Sequence, residues 1–385
     1  LLLSDRGREA VALAAGLDLS PAARIATAEA LRDAAGPDLG PLALEQALLR
    51  RRARAKHPRG DELWWTAEAL EQATAHEVAV HRATRYPEPV LDLCCSVGGD
   101  LLALPAGSVG VDLDEARLLL AAENARVLGR SVRLVRADVT RLRVRGDVFA
   151  DPARRSAGRR VFDARAYAPP LEVVLGWLPQ VRSLGIKVAP GLDPALVPEG
   201  VEREVVSLRG EVKEAVLWAG RARRAAGRSA ALLPGGHVLS DVRVPDPAVR
   251  PPGRWLLEPD GAVIRAGLVA QVADAVGGGL LDATIAYVTA DEPVPTPFGT
   301  WYEVLEVLPF GVKRLRAALR TYDAGPLVVK KRGTAVEPEV LRKALGLRGG
   351  REVTVVLTRS AGRQIALVVR PHHGPARTPA GSALA

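Results

Sequence analysis

The chain has only two cysteines, and they are adjacent, Cys94 and Cys95. Neighbouring thiols cannot staple a small secreted fold or supply a zinc site by themselves, so a reducing compartment and a cytoplasmic location are expected. Long hydrophobic runs are also missing: none reaches the roughly 18 apolar residues that a membrane span needs. The apolar stretch Leu1–Leu3 is broken at once by Ser4, Asp5 and Arg6, so neither a membrane anchor nor a signal peptide is expected. His57, His76, His81 and His237 have no cysteine or carboxylate at ligand spacing, so no metal is expected.

Acidic residues are scarce in one segment only. The whole chain carries 53 Lys plus Arg against 44 Asp plus Glu, a net charge of +9. From Phe298 to Ala385 the count is 15 against 6, the same excess, which leaves residues 1–297 balanced. Arginine is abundant along the whole chain, a usage bias that makes single arginines uninformative. Such a bias would not strip acids from one segment, and a locally basic domain suggests a polyanionic partner.

What is present is length and pattern. At 385 residues the chain exceeds what one hydrophobic core covers, so two or three domains are expected. Residues 1–86 read as helical. Ser20–Gly36 has an N-cap serine, proline at the first helical position and a terminal glycine. Leu42–His57 and Asp61–Tyr86 continue at helical spacing, the last stopped by Pro87. Trp64 and Trp65 read as packing residues there, and Gln72 and Thr74 either border the next domain's site or serve as ordinary exposed or capping residues.

Residues 87–250 alternate strand and helix, the signature of a mostly parallel sheet with ligands at the strands' carboxyl ends. Their first strand leads through Cys94–Gly99 into the apolar run Leu101–Leu104, a strand, tight turn and helix start. Later strands are expected at 108–114 and 132–139, a strand and turn over 147–155, and a strand at 186–191, with a helix over 171–185; 202–220 and 228–234 close the sheet. The Pro- and Gly-rich passage 245–255 marks a linker. Beyond it come a helix over 262–277, a strand over 280–290, and a small β-α-β-α-β-β domain with one sheet face open. A domain spanning 251–370 and a disordered tail over 371–385 follow from this pattern. Helix 312–319 turns Val312, Leu315 and Leu319 to one face and leaves Lys313, Arg314 and Arg316 for phosphates. Lys330, Lys331 and Arg332 read either as a solvated strand end or as a phosphate clamp, and the basic surroundings favour the clamp.

Four acids fall at the carboxyl ends of consecutive strands: Asp92, Asp112, Asp138 and Asp151. Asp112 follows Asp92 by 20 residues, a spacing at which an acid can accept ribose hydroxyls. Asp138 would lie beside an adenine, and Asp151 opens an Asp-Pro-Ala-Arg turn facing a reaction centre.

The motifs VLDLCCSVGGDLLAL, GVDLD, ENARVLG, RADV and DPARR resemble those of class I S-adenosylmethionine-dependent methyltransferases. Together with EPDGAVIRAGLV, IAYVTADEP and GPLVVKKRG they resemble a bacterial group with a THUMP-like RNA-binding domain at the C-terminus. The resemblance implies an α/β fold, with a Rossmann-like methyltransferase sheet between an N-terminal helical domain and a small α+β THUMP-like domain. It implies S-adenosylmethionine as cofactor and tRNA or rRNA as partner. Asp92, Cys95, Ser96, Gly98 and Gly99 would shape the loop around the methionine part, Asp112 would hold the ribose and Asp138 the adenine edge. Asp151, Pro152 and Arg154 would stand where the Asp/Asn-Pro-Pro-aromatic motif of amine methyltransferases orients the target. Cys94 and Ser96 replace glycines of the usual loop, where positive φ costs a serine roughly 1 kcal/mol. The expected function is methylation of a base nitrogen in RNA. The alternatives are a non-catalytic RNA-binding or assembly factor with a vestigial methyltransferase domain, and a small-molecule methyltransferase.

Overall fold

The computed structural model describes residues 1–153, 155–156, 159–160 and 166–372, which form two compact units. The first comprises Leu1–Val201 with Val216–Arg224; the second comprises Glu202–Ala215 and the chain from Ala225 onward. No helix among the described residues is long and apolar enough to cross a membrane.

The first unit opens with α1 (Asp5–Ala15), α2 (Arg24–Ala35) and α3 (Leu39–Ala53), whose small apolar faces close around Trp64. Helix α2 starts four residues later than its serine signal, because Ser20 Oγ accepts from Ala23 N (3.4 Å) and caps a separate turn. Helix α3 begins and ends before the expected 42–57. The long helix expected over 61–86 is two short ones, α4 (Ala67–Gln72) and α5 (His76–Ala83). Thr66 caps α4 by accepting from Ala69 N at 3.0 Å. Residues 73–75 then leave the helical path because Lys56 captures them. Its ammonium donates to Ala73 O at 2.7 Å, and its carbonyl accepts from His76 N at 2.7 Å.

The parallel sheet of this unit contains β1 (Leu91–Leu93), β2 (Val109–Asp112), β3 (Arg133–Arg136) and β4 (Gly146–Ala150). Helix α6 (Glu115–Val127) joins β2 to β3. The short pair β5 (Arg155–Ser156) and β6 (Arg159–Arg160), helix α7 (Leu171–Leu175) and strand β7 (Val181–Val188) follow. The strand order is β7-β4-β1-β2-β3. The chain steps outward from β1 to β3 and returns to β4 on the other side. The carboxyl ends of β1 and β4 therefore flank the topological switch point, where α/β sheets bind ligands. Two expectations fail here. No helix follows the β1 loop; residues 99–104 form turns. The helix expected over 171–185 stops at Gly176, because residues from Val181 pair with β4 from Gly146 onward and strand pairing overrides helical spacing. Gly110 lets the β1 loop sit down on β2: a Cβ there would come within 2.6 Å of Leu101 and 2.8 Å of Cys95 Sγ.

In the second unit, β10 (Arg228–Leu233) pairs parallel with β8 (Glu202–Leu208) and antiparallel with β11 (His237–Ser240). Strand β9 (Glu211–Gly220) starts in this unit and passes into the first at Val216. The supposed linker is laid along a strand, with Arg250 N donating to Leu280 O at 2.8 Å. A seven-stranded sheet follows, ordered β13-β14-β12-β15-β18-β17-β16. Its strands are β12 (Trp255–Pro259), β13 (Gly279–Asp282), β14 (Ile285–Ala290), β15 (Gly299–Pro309), β16 (Ala324–Lys331), β17 (Arg351–Ser360) and β18 (Arg363–Pro371). The helix expected over 262–277 breaks at Gly267 (φ 72°) into α8 (Gly261–Ala266) and α9 (Val269–Ala275). The strand expected over 280–290 is the β13–β14 hairpin, turned where Asp282 Oδ1 accepts from Thr284 N at 3.0 Å.

The C-terminal β-α-β-α-β-β order is present, with α10 (Val312–Thr321) and α11 (Pro338–Leu345) on one face of the sheet. The other face is not open: Leu281, Ile285 and Tyr287 cover Val356, Ile365, Leu367 and Val369. Of the expected tail, Pro371 closes β18 and His372 N donates to Trp301 O at 2.9 Å. Residues 373–385 lie outside the described residues.

Candidate active site

Asp92, in the middle of a β1 strand paired on both sides with β2 and β4, is a buried carboxyl, 1% exposed, and neither oxygen has a hydrogen-bond partner among the described residues. Burial, and after it the charge of Asp151, pushes this carboxyl up to about 8. The loop that follows holds Cys94 at φ 66°, Ser96 at φ 50° and Gly98 at φ 89°. The two non-glycine residues thus keep the left-handed backbone that glycine would adopt freely. Cys95 turns inward and packs on Gly110, so its side chain supports the loop from beneath. Desolvation raises both thiols, and around Cys94 the carboxylates of Asp112, Asp151, Asp92 and Asp138 add to it. The four acids read from strand ends therefore converge on this loop.

Asp112 is tied to the loop directly. Its Oδ2 accepts from Ser96 N (2.8 Å) and its Oδ1 from Asp114 N (2.9 Å), and each oxygen keeps a second lone pair. Asp114 then caps α6 by accepting from Ala116 N at 2.8 Å. Asp138 is more exposed and caps its own turn, accepting from Thr140 Oγ1 (2.7 Å) and Thr140 N (3.0 Å); these bonds draw its carboxyl below the usual range. Asp151 N donates to Leu93 O at 3.1 Å, which fixes the end of β4 beside that of β1. Pro152 is buried, and Ala153 exchanges two backbone bonds with Ala168 (2.9 and 3.0 Å). Arg154 lies outside the described residues.

Five further residues adjoin the site: Thr74, named above, and Lys187, Asp100, Arg82 and Asn124, which the sequence reading did not single out. Lys187, inside β7, donates to Asp151 Oδ2 at 2.7 Å and to Thr74 Oγ1 at 2.8 Å. Thr74 donates to Asp100 Oδ2 at 3.0 Å, and Asp100 is ion-paired with buried Arg82. The Arg82 guanidinium lies 4.4 Å from the Phe149 ring centre. Asn124 holds the loop from α6: Nδ2 donates to Val97 O and Trp64 O (3.0 Å each), and Oδ1 accepts from Trp64 N (2.7 Å). The available signal for Lys187 was a lysine between Ile186 and Val188 in the expected strand 186–191. Thr74 is placed in the site, whereas Gln72 bonds Glu68 at 3.0 Å on the surface.

The basic residues of the second unit divide into two groups. Lys313 and Arg314 are exposed at the start of α10 and have no partner among the described residues. Arg316 instead donates to Ala344 O, and Lys331 bonds Glu337 (2.8 Å) and Val336 O (3.0 Å). Lys330 bonds Glu258 at 2.6 Å, with Arg332 3.7 Å from the same carboxylate. The segment Lys330–Arg332 is thus turned to carboxylates of its own unit.

Residues 299–371 match the family described as THUMP domain-like, and residues 1–53 match a domain of unknown function (DUF8688). Proteins from two strains of Mycobacterium tuberculosis, each described as an uncharacterized S-adenosylmethionine-dependent methyltransferase, are 42% identical over 354 residues. The match covers 87% of this chain and 98% of theirs. A crystal structure described as a candidate methyltransferase from Porphyromonas gingivalis W83 superposes with a TM-score of 0.76 at 21% identity. That superposition covers 97% of this chain and 100% of the other, a likeness of fold.

Proposed function

The chain belongs to the S-adenosylmethionine-dependent methyltransferases with a THUMP-like C-terminal domain, and from that membership we propose that it methylates a base nitrogen in RNA. One observation carries the substrate class: the whole excess of positive charge, +9, falls in the segment from Phe298 onward that contains the THUMP-like match. Residues 251–370 would grip phosphates, with Lys313 and Arg314 the foremost contacts. Residues 87–250 would hold the cofactor and the target base.

The residues of the β1 loop fit the cofactor. Asp92 is a buried carboxyl with no donor on either oxygen, so a ligand bearing an ammonium group supplies what it lacks. S-adenosylmethionine, when bound, supplies an electrophilic methyl on a sulfonium. Asp112, fixed by two backbone donors, offers its remaining lone pairs to hydroxyl groups, and Asp138 offers an acceptor to an amine edge. Ser96, Gly98 and Gly99 leave the backbone open to close approach, with Cys95 packed beneath. Asp151 has Oδ1 without a partner among the described residues and a side chain 26% exposed, so it can accept a hydrogen bond from a target N–H. Pro152 stiffens that turn, and Arg154 would stack on a base or meet a phosphate. Fixing the nitrogen in line for attack contributes much of the rate.

Incubation with methyl-labelled cofactor and total cellular RNA tests this reading. Label is expected in ribonuclease-sensitive material, falling on the order of 100-fold in Asp151→Ala. No incorporation by the wild type, together with no calorimetric heat of cofactor binding, would overturn it.

A further inference from the structure

Strand β7 carries a charge among apolar neighbours. Ile186 and Val188 are buried, and Lys187 between them is only 4% exposed. An ammonium in such a place is tolerated only when it is paired and hydrogen-bonded. Its partners are specific: Asp151 Oδ2 at 2.7 Å, and the Thr74 hydroxyl at 2.8 Å, which itself donates to Asp100. Arg82 neutralises Asp100 from behind. Asp151 is therefore gripped at one oxygen by a buried cation that is itself held in place, while Oδ1 has no partner among the described residues.

We propose that Lys187 is the positioning residue of the reaction. Its ammonium occupies Oδ2 of Asp151 and leaves Oδ1 as an acceptor, so the target must be a nitrogen that carries a hydrogen. That class comprises exocyclic amines and ring N–H groups. A ring nitrogen with only a lone pair would face the carboxylate acceptor without a donor. In the transfer, the nitrogen bonds the methyl carbon as the carbon–sulfur bond of the sulfonium breaks, and the sulfur keeps that electron pair. The hydrogen leaves the nitrogen as a proton, to Asp151 Oδ1 and then to solvent. The nature of the target rests on the RNA-base reading above; the grip of Lys187 on Asp151 does not.

The test uses the full chain. Lys187→Met is expected to lower kcat about 100-fold, with the KM for RNA and the cofactor Kd within about threefold of wild type. Thr74→Val keeps the ammonium and removes one of its partners; a loss of about tenfold in kcat is expected, and this variant serves if Lys187→Met folds poorly. Independently of activity, thermal unfolding of Asp151→Asn, Lys187→Met and the double variant is expected to be non-additive, the double losing less than the two singles together. Mass spectrometry of the product nucleoside should place the methyl on a nitrogen that carried a hydrogen. Wild-type kcat in Lys187→Met, additive melting shifts, or a methyl on a bare ring nitrogen would each overturn the proposal. If the wild type methylates no RNA, the substrate reading fails while the melting cycle still decides the pairing.

Discussion

Asp92 ties the site to pH. With its carboxyl pushed up to about 8 by burial and by Asp151, the folded chain keeps a proton that the unfolded chain releases above about 4. Between those values the unfolded state binds fewer protons, so cofactor-free stability falls as pH rises from about 4 to 8. Asp92→Asn removes the penalty. It is expected to melt above wild type at pH 8 and to converge with it near pH 4 in thermal scans without cofactor. The same variant should bind cofactor more weakly in calorimetry, because a neutral amide cannot form an ion pair with an ammonium. At this scale the acids were legible because each falls at or next to the carboxyl end of an expected strand, just before a turn. Lys187 was not, because a lysine near a strand's end reads equally well as solvated, and only the packing of β7 shows it buried. The Lys330–Arg332 segment shows the opposite limit: composition marks it as cationic but does not reveal Glu258, which is distant in sequence and already occupies it.

The β1 loop, taken as an element, stores strain. Cys94 and Ser96 hold φ of 66° and 50°, each costing roughly 1–2 kcal/mol for a side-chain-bearing residue. Cys94→Gly and Ser96→Gly are expected to stabilise by about 1 kcal/mol apiece, somewhat offset by glycine's greater unfolded-state freedom. A higher denaturant midpoint at unchanged m would show it. The departure from the glycine pattern is thus one of energy, since the backbone follows the path glycines would take. Elements stabilised by their own sequence were legible, such as α10, which begins at Val312 as the helix expected over 312–319 does and runs two residues past it. Elements decided by distant partners were not: Lys56 breaks the helix of 61–86, and β4 draws residues from Val181 into a strand.

For the whole molecule, the uneven distribution of charge leads to a separable prediction. Replacing Lys313 and Arg314 together by alanine should weaken RNA binding and reduce the salt dependence of log K by about 1–2. It should leave the melting temperature nearly unchanged, as both side chains are exposed without partners among the described residues. Lys330→Ala should behave in the opposite way. It strips Glu258 of its 2.6 Å partner and should cost about 1–3 kcal/mol of stability, read by denaturant unfolding beside anisotropy titrations of RNA at several salt concentrations.

The stretch at 73–75, pulled out of the helix by Lys56, brings Thr74 to Lys187, and α5 just after it brings Arg82 to Asp100. The polar network around Asp151 and Lys187 is therefore threaded partly from residues that precede the first strand. A piece cut near residue 87 would retain the β1 loop, all four strand-end acids, Asp100 and Lys187 yet lose Thr74 and Arg82, the groups that tie Lys187 to Asp100 and neutralise Asp100. The smallest piece that keeps the Lys187 network whole extends back at least to Lys56.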